Sequence, residues 1–268
     1  MKRTKIAILC TTLVIAGMAS AHNVWIRPSS TQLAGESDYV TIDGGGSDFP
    51  FDVNHRGRPA EGLHAYDPKG KEIEKENLMV GKLRTSYDVK LNQQGTYHFT
   101  DGLEYIQFNY PDENGKSVRW RDTPEKFKKE NPMADKKREK FKQQSWNVET
   151  FVTLGEPTSE VLKPDSKGLD IEYLTHPNEL YAGEPARFRL LFNGKPLPDS
   201  HVEIARDSLR YRENNLITLK TDKDGVVTIN WPGPGMYWLY AEHETTSDLA
   251  KDAPYSLKYA AGLEVLPL

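Results

Sequence analysis

Gly233-Pro234-Gly235-Met236-Tyr237-Trp238-Leu239-Tyr240-Ala241 is a glycine turn, one residue, a tyrosine and then an alternating run. Gln93-Gln94-Gly95-Thr96-Tyr97-His98-Phe99-Thr100 repeats the arrangement in the first half of the chain. A glycine supplies the backbone freedom a sharp corner needs, and the alternation behind it has the period of a half-buried strand. Working outward, β-branched and aromatic runs recur at 39–43, 86–91 and 105–109, and again at 168–173, 186–192, 201–205 and 226–230. Clusters of Gly, Pro, Asn and Asp separate them, with strong turns at Lys195-Pro-Leu-Pro-Asp199 and Thr221-Asp-Lys-Asp-Gly225. Short strands at such intervals, without helices between them, predict an all-β chain of sandwiches.

Each corner with its tyrosine resembles the corner of an immunoglobulin-like sandwich, once per half. The expectation is two immunoglobulin-like β-sandwich domains, 22–160 and 161–268, parted in the polar, turn-rich stretch from Gly155 to Lys167. One segment departs from the pattern. Thr123-Pro124-Glu125 is a helix start, with Thr as N-cap, Pro at the first helical position and an acid in the first turn. It predicts a short charged helical excursion at about 122–145, interrupted at Pro132. From Lys116 to Lys142 there are 11 Lys and Arg against 5 Asp and Glu, a local +6 in a chain of net charge −4. That stretch reads either as a docking surface for an acidic partner or membrane headgroups, or as a solvated excursion.

The chain opens with Met1-Lys-Arg-Thr-Lys5, an apolar run from Ile6 to Ala16, and Ala19-Ser20-Ala21. This is the build of a signal peptide at 1–21, and it predicts export, cleavage after Ala21 and a periplasmic location. The apolar run is too short for a spanning helix, which needs about 20 such residues, and no later stretch supplies a transmembrane segment. Cys10 is the sole cysteine and follows Leu9, where lipoprotein processing needs a small residue. The mature chain is therefore expected to lack a lipid anchor, disulfides and thiolate ligands. Loss of Lys2, Arg3 and Lys5 takes the formal charge from −4 to −7, which speaks against nucleic acid as a partner.

Cleavage after Ala21 would make His22 the first residue. An N-terminal histidine offers its α-amine and its imidazole Nδ1 to one ion. The amine titrates near 8, so it loses its proton to a metal at little cost. Nitrogen donors favour copper and then nickel among divalent ions. A third nitrogen is needed, and the mature chain carries His55, His64, His98, His176, His201 and His243. None shows tight metal spacing. His55, in the polar loop Asp52-Val53-Asn54-His55-Arg56-Gly57, is the best second ligand, because loops carry sites. Trp25 would lie in the first strand, covering the chain start or filling an ordinary core position.

The chain has no Gly-x-Ser-x-Gly and no P-loop. Gly44-Gly45-Gly46-Ser47-Asp48 follows a strand and leads to no helix, so it reads as a bulge or mobile loop rather than a phosphate cradle. No spacing among the 39 acidic residues singles out a catalytic pair. The expectation is a protein that is not an enzyme.

Several segments together resemble a family of exported proteins of unknown function, described as nickel-uptake, NikM-like periplasmic proteins. They are Ala21-His22, Trp25, Pro28-Ser29, Arg119-Trp120-Arg121 and Glu149-Thr-Phe-Val-Thr153, then Thr175-His176-Pro177, Leu180-Tyr-Ala-Gly-Glu184, Phe192-Asn-Gly-Lys-Pro-Leu197, Trp231-Pro232 and the terminal Leu263-Glu-Val-Leu-Pro267. The resemblance spans nearly the whole mature chain. It implies periplasmic metal handling beside an uptake system, with His22 as the family's histidine after the cleavage site. His55 falls where relatives carry an Asp-His loop, although here Val53-Asn54 separates it from Asp52. The first functional reading is thus a periplasmic protein that binds a transition metal ion, copper or nickel, through His22 and His55 and assists its uptake. The second is an adaptor without metal, docking to an outer-membrane or inner-membrane transporter or receptor. A carbohydrate- or siderophore-binding module, resting on Trp120 and Trp146, is the third.

Overall fold

The computed structural model describes residues 23–132, 137–208, 211 and 216–268. The expected signal peptide and His22 lie outside the described residues. The first half forms β1 (Asn23–Pro28), β2 (Gln32–Leu33), β3 (Asp38–Ser47), β4 (Arg56–Gly57), β5 (Leu63–Tyr66), β6 (Glu76–Val80), β7 (Thr85–Leu91), β8 (Gly95–Pro111), β9 (Ser117–Asp122), helix α1 (Pro124–Glu130) and β10 (Glu139–Leu154). The second half forms β11 (Leu169–Tyr173), β12 (Pro185–Phe192), β13 (Lys195–Pro196), β14 (His201–Arg206), β15 (Leu216–Lys220), β16 (Val226–Asn230), β17 (Gly235–Thr246) and β18 (Pro254–Val265).

These strands make three sheets in three layers. The middle sheet has the order β15-β14-β17-β18-β10-β8-β5, with β2 on β10 and β9 on β8. One outer sheet runs β1-β3-β7-β6 with β4 on β3, and the other runs β11-β12-β13 with β16 on β12. Alternation decides which outer sheet each residue of the middle one meets. Trp238 and Ala260 point into the core shared with Trp25, Ile42 and Val89. Leu239, Tyr259 and Ala261 point the other way, into the core shared with Ile171, Phe188 and Ile229. A strand covered on both faces loses its polar alternation, which is why β18 is buried almost without interruption from Leu257 to Leu263. The all-β sandwich reading of the sequence is therefore what the chain adopts. The passage near residue 160, where the sequence places the domain boundary, carries the chain from one sandwich to the other. The middle sheet is common to both, because β10 and β18 pair in parallel from Gln143 opposite Tyr255 to Thr150 opposite Gly262.

Both glycine corners close on their tyrosine. Tyr97 Oη accepts from the amides of Asn92 and Gln93 and donates to the Gln93 carbonyl at 3.0 Å. Tyr237 Oη donates to the Gly233 carbonyl at 2.8 Å. Two expectations need correction. The helical excursion is one helix of seven residues, not a stretch from 122 to 145. Thr123 Oγ1 caps it, accepting from the Lys126 amide at 3.2 Å, and Asn131 ends it in the left-handed region at φ 40°. From Glu139 the chain is already strand, paired with β8. The glycine run 44–46 is the end of β3, neither a bulge nor a loop. Trp25 fills a core position and lies across Gly45, where a Cβ would sit 2.7 Å from its ring. Its Nε1 donates to Ser47 Oγ at 2.8 Å. Beyond the sandwiches, β8, β9 and β10 extend as an arm whose own small core is Ile106, Phe108 and Phe127 with Trp120 and Phe141 against them.

Candidate functional site

His55 lies in the exposed loop between β3 and β4. β3 stands between β1, which opens at Asn23, and that loop. Asn23 pairs with Ser47 on one side, and Arg56 pairs with Gly46 on the other. Asn23 Nδ2 donates to the Asp48 carbonyl at 2.9 Å, and the Asp48 amide donates to Asn54 Oδ1 at 3.4 Å. The backbone at Asn23 and the loop carrying Asp48, Asp52 and His55 are thereby tied together. Among the described residues no group of three or more His, Cys, Asp or Glu side chains is placed to hold a metal ion.

The remaining histidines take other roles. His176 Nε2 reaches the Thr158 carbonyl at 3.1 Å and its Nδ1 accepts from the Asn178 amide, while burial holds its pKa below the ordinary value. His243 packs on Phe192 at 4.3 Å between ring centres. His201 is exposed at the start of β14. His64 Nδ1 lies 2.7 Å from Glu72 Oε1.

His98 belongs to a constellation the sequence did not disclose. Register builds it. Tyr66 faces His98 and His98 faces Phe151, while His64 faces Thr100 and Thr100 faces Glu149. These two cross-strand rows lie on one face of the middle sheet, opposite the face that carries Phe99 and Val148. Alternation sends His98 away from the Tyr97 and Phe99 core, as its neighbours imply. There it stacks on Phe151 at 4.7 Å and 9°. Its Nε2 donates to Glu149 Oε2 at 2.7 Å. The other oxygen, Oε1, accepts from Tyr173 at 2.9 Å and from Tyr259. Burial pushes the Glu149 carboxyl up, but the hydrogen bond and charge of His98, with the two hydroxyls, outweigh it and hold the group below the usual carboxylate range.

Asp170 at the start of β11 behaves oppositely. Burial, and then the charge of Glu149, push it up to about 8, against the pull of the Asp165 and Ile171 amides. Above this floor opens a cleft of about 400 Å³, roofed by residues 160–165 and β11. The partners of Glu149 lie 51, 24 and 110 residues away in sequence, so no local spacing announces them. The one legible signal is a glutamate in the middle of a strand whose alternate positions are apolar.

No helix among the described residues is long and apolar enough to cross a membrane. No curated protein matches the chain. Solved structures similar to it include a marsupial T cell receptor, at 11% identity over 92% of this chain and 74% of that one, with a TM-score of 0.21. The FN1-FN3 domains of chicken CNTN1 align at 6% identity over 91% and 99%, with a TM-score of 0.24. A tetra-tandem repeat from the extending region of a large adhesion protein aligns at 12% over 92% and 74%, with a TM-score of 0.22. The family profile of a domain of unknown function, DUF4198, matches residues 19–245. Resting on this match over most of its length, the chain belongs to the DUF4198 family.

Proposed function

We propose that this protein is exported to the periplasm, is cleaved after Ala21, and binds a transition metal ion at its new N-terminus to assist uptake, as a NikM-like nickel protein or a copper one. The observation that carries the reading is the bond from Asn23 to the Asp48 carbonyl. A residue joined to Asn23 has its Cα within about 3.8 Å of that of Asn23, which supports a reading in which His22 shares an ion with the loop of Asp48, Asp52 and His55. The donor set fits the ion. Two nitrogens of His22 and the imidazole of His55 favour copper or nickel over harder cations. When bound, the metal is cargo, held by this chain rather than used for chemistry.

The test begins with mass spectrometry of the exported protein to fix its first residue. The mature form is then titrated with Cu(II), Ni(II) and Zn(II), beside a form with one extra residue ahead of His22 and a His55→Ala variant. Extension and His55→Ala should each weaken binding at least about tenfold, or about 1.4 kcal/mol. Unchanged affinity in the extended form removes the N-terminal chelate from consideration.

A second reading, an adaptor docking to a transporter or receptor without metal, is favoured by one feature. The arm with its own aromatic core carries the basic stretch from Lys116 to Lys142, in a chain of net charge −4. Millimolar or weaker binding of all three metals, with partner capture lost when Lys137 and Arg138 are neutralised, would select it.

A further inference from the structure

The cleft over Glu149 is a second site, remote in its chemistry from the chain start. Its floor stands on paired strands, where His98 bonds Glu149 and Asn147 bonds Asp170. Its walls mix polar groups with apolar ones, Tyr66, Phe151, Ile171 and Tyr173 among the latter. Its titratable lining is mostly acidic: Glu149, Glu160, Asp165 and Asp170 line it, Asp170 with its pKa raised to about 8, beside Lys163, His64 and His98. Glu149 is 5% exposed and already accepts from His98, Tyr173 and Tyr259, and a positive charge placed over the cleft would add to these. A metal ion is a poor candidate, because no three donors converge there. The volume suits a small molecule, since ligand pockets begin at about 300 Å³. Gly102 is an exposed part of the lining, and a Cβ built there meets nothing within 4 Å.

We propose that this cleft binds a small organic cation, an ammonium group on a compact apolar body, with Glu149 as its fixed counter-charge and Gly102 as the opening that admits it. The elevated Asp170 carboxyl agrees with this. It shares the cleft with Glu149, His98, Asp165, Lys163 and Tyr173, and burial with the Glu149 charge raises its pKa, so a bound cation would favour its ionised form.

The experiment uses the mature protein and calorimetric titration with choline and n-butylammonium, each beside a neutral counterpart, dimethylbutanol and n-pentanol. At least one cation should bind about tenfold or more tighter than its neutral counterpart. Gly102→Leu should abolish that preference or weaken cation binding at least about tenfold. Gly102 has no positive φ and its surroundings are open, so this variant keeps its fold, checked by circular dichroism and melting. Glu149→Gln, where it folds, should erase the difference between cation and neutral probe. The proposal is overturned if neither cation binds, if the neutral probes bind equally well, or if Gly102→Leu binds like the wild type. Metal binding at the chain start should not change in Gly102→Leu, so failure of either site can be told from failure of the other.

Discussion

His98 and Glu149 face each other diagonally across β8 and β10, with Nε2 of one 2.7 Å from Oε2 of the other, and the buried carboxylate draws in Tyr173 and Tyr259 from two further strands. The network thus ties the outer sheet of β11 to three strands of the middle sheet. Glu149→Gln puts an amide NH₂ where a donor already points. Removing one member of a buried, hydrogen-bonded charge pair costs about 3–5 kcal/mol, and urea midpoints should fall accordingly. The sign in acid follows from the depressed carboxyl. Its stabilisation is fully present above the unfolded value of about 4.3 and is lost as pH falls through the lower folded value. The variant should lack that acid-side loss. A stability within about 0.5 kcal/mol of wild type would show the network to be incidental.

The two tyrosine corners belong to different cores, Tyr97 to the one around Trp25 and Tyr237 to the one around Phe188. Tyr97→Phe takes the acceptor from two amides and should cost about 1–3 kcal/mol. Tyr237→Phe frees the Gly233 carbonyl and should cost about 1 kcal/mol. Because the sites share no partner, the double variant should be additive to within about 0.5 kcal/mol by chemical denaturation. Strong non-additivity would mean that the shared sheet couples the corners.

The corners were legible because turn, tyrosine and alternation are all local, and the bond from Tyr97 closes within four residues. The strands were legible for the same reason. The helix was overread, since the charge run from Lys116 to Lys142 continues into β10, where Phe141 and Gln143 are sheltered and Lys140 and Lys142 are not. Charge composition does not distinguish a solvated helix face from a strand with one wet side. The three-layer arrangement was hidden, because the parallel pairing of β10 with β18 joins residues more than a hundred positions apart. Glu149 was hidden with it. His55 was legible as a loop histidine, and that its loop joins β3, the strand that also pairs with β1, was not.

Arg58 and Asp101 form a second buried pair, 2% and 0% exposed, joined by Nε to Oδ2 and by Nη2 to Oδ1 at 3.2 Å. Asp101→Asn should cost about 3–5 kcal/mol, because the guanidinium is left buried. The half-exposed pair Arg27–Asp207, at 3.3 Å and 38% and 37% exposed, is the contrast. There Asp207→Asn should cost less than about 1 kcal/mol. Close to the buried pair, the Tyr87 hydroxyl has no hydrogen-bond partner among the described residues, and burial with the Asp101 charge drives its pKa far up. Tyr87→Phe removes that orphan and should leave the melting temperature unchanged or raise it. A lower melting temperature would reveal a bond to water that the hydroxyl needs.

Asp170 makes the sharpest prediction about pH. Burial first, and the charge of Glu149 second, lift it to about 8, far above an unfolded value of about 3.9. The folded protein therefore holds a proton that the unfolded chain releases between those two values. The group's contribution is complete below about 4, declines as pH rises through the window up to about 8, and is flat beyond it. Asp170→Asn cannot titrate, so the gap between stability at pH 5 and at pH 8 should narrow relative to wild type measured in parallel. Glu149→Gln should narrow it too, because it removes the charge that helps lift Asp170. The two substitutions reach one observable by different routes, so equal slopes in all three proteins would place Asp170 in contact with water and strip the cleft of its buried acid.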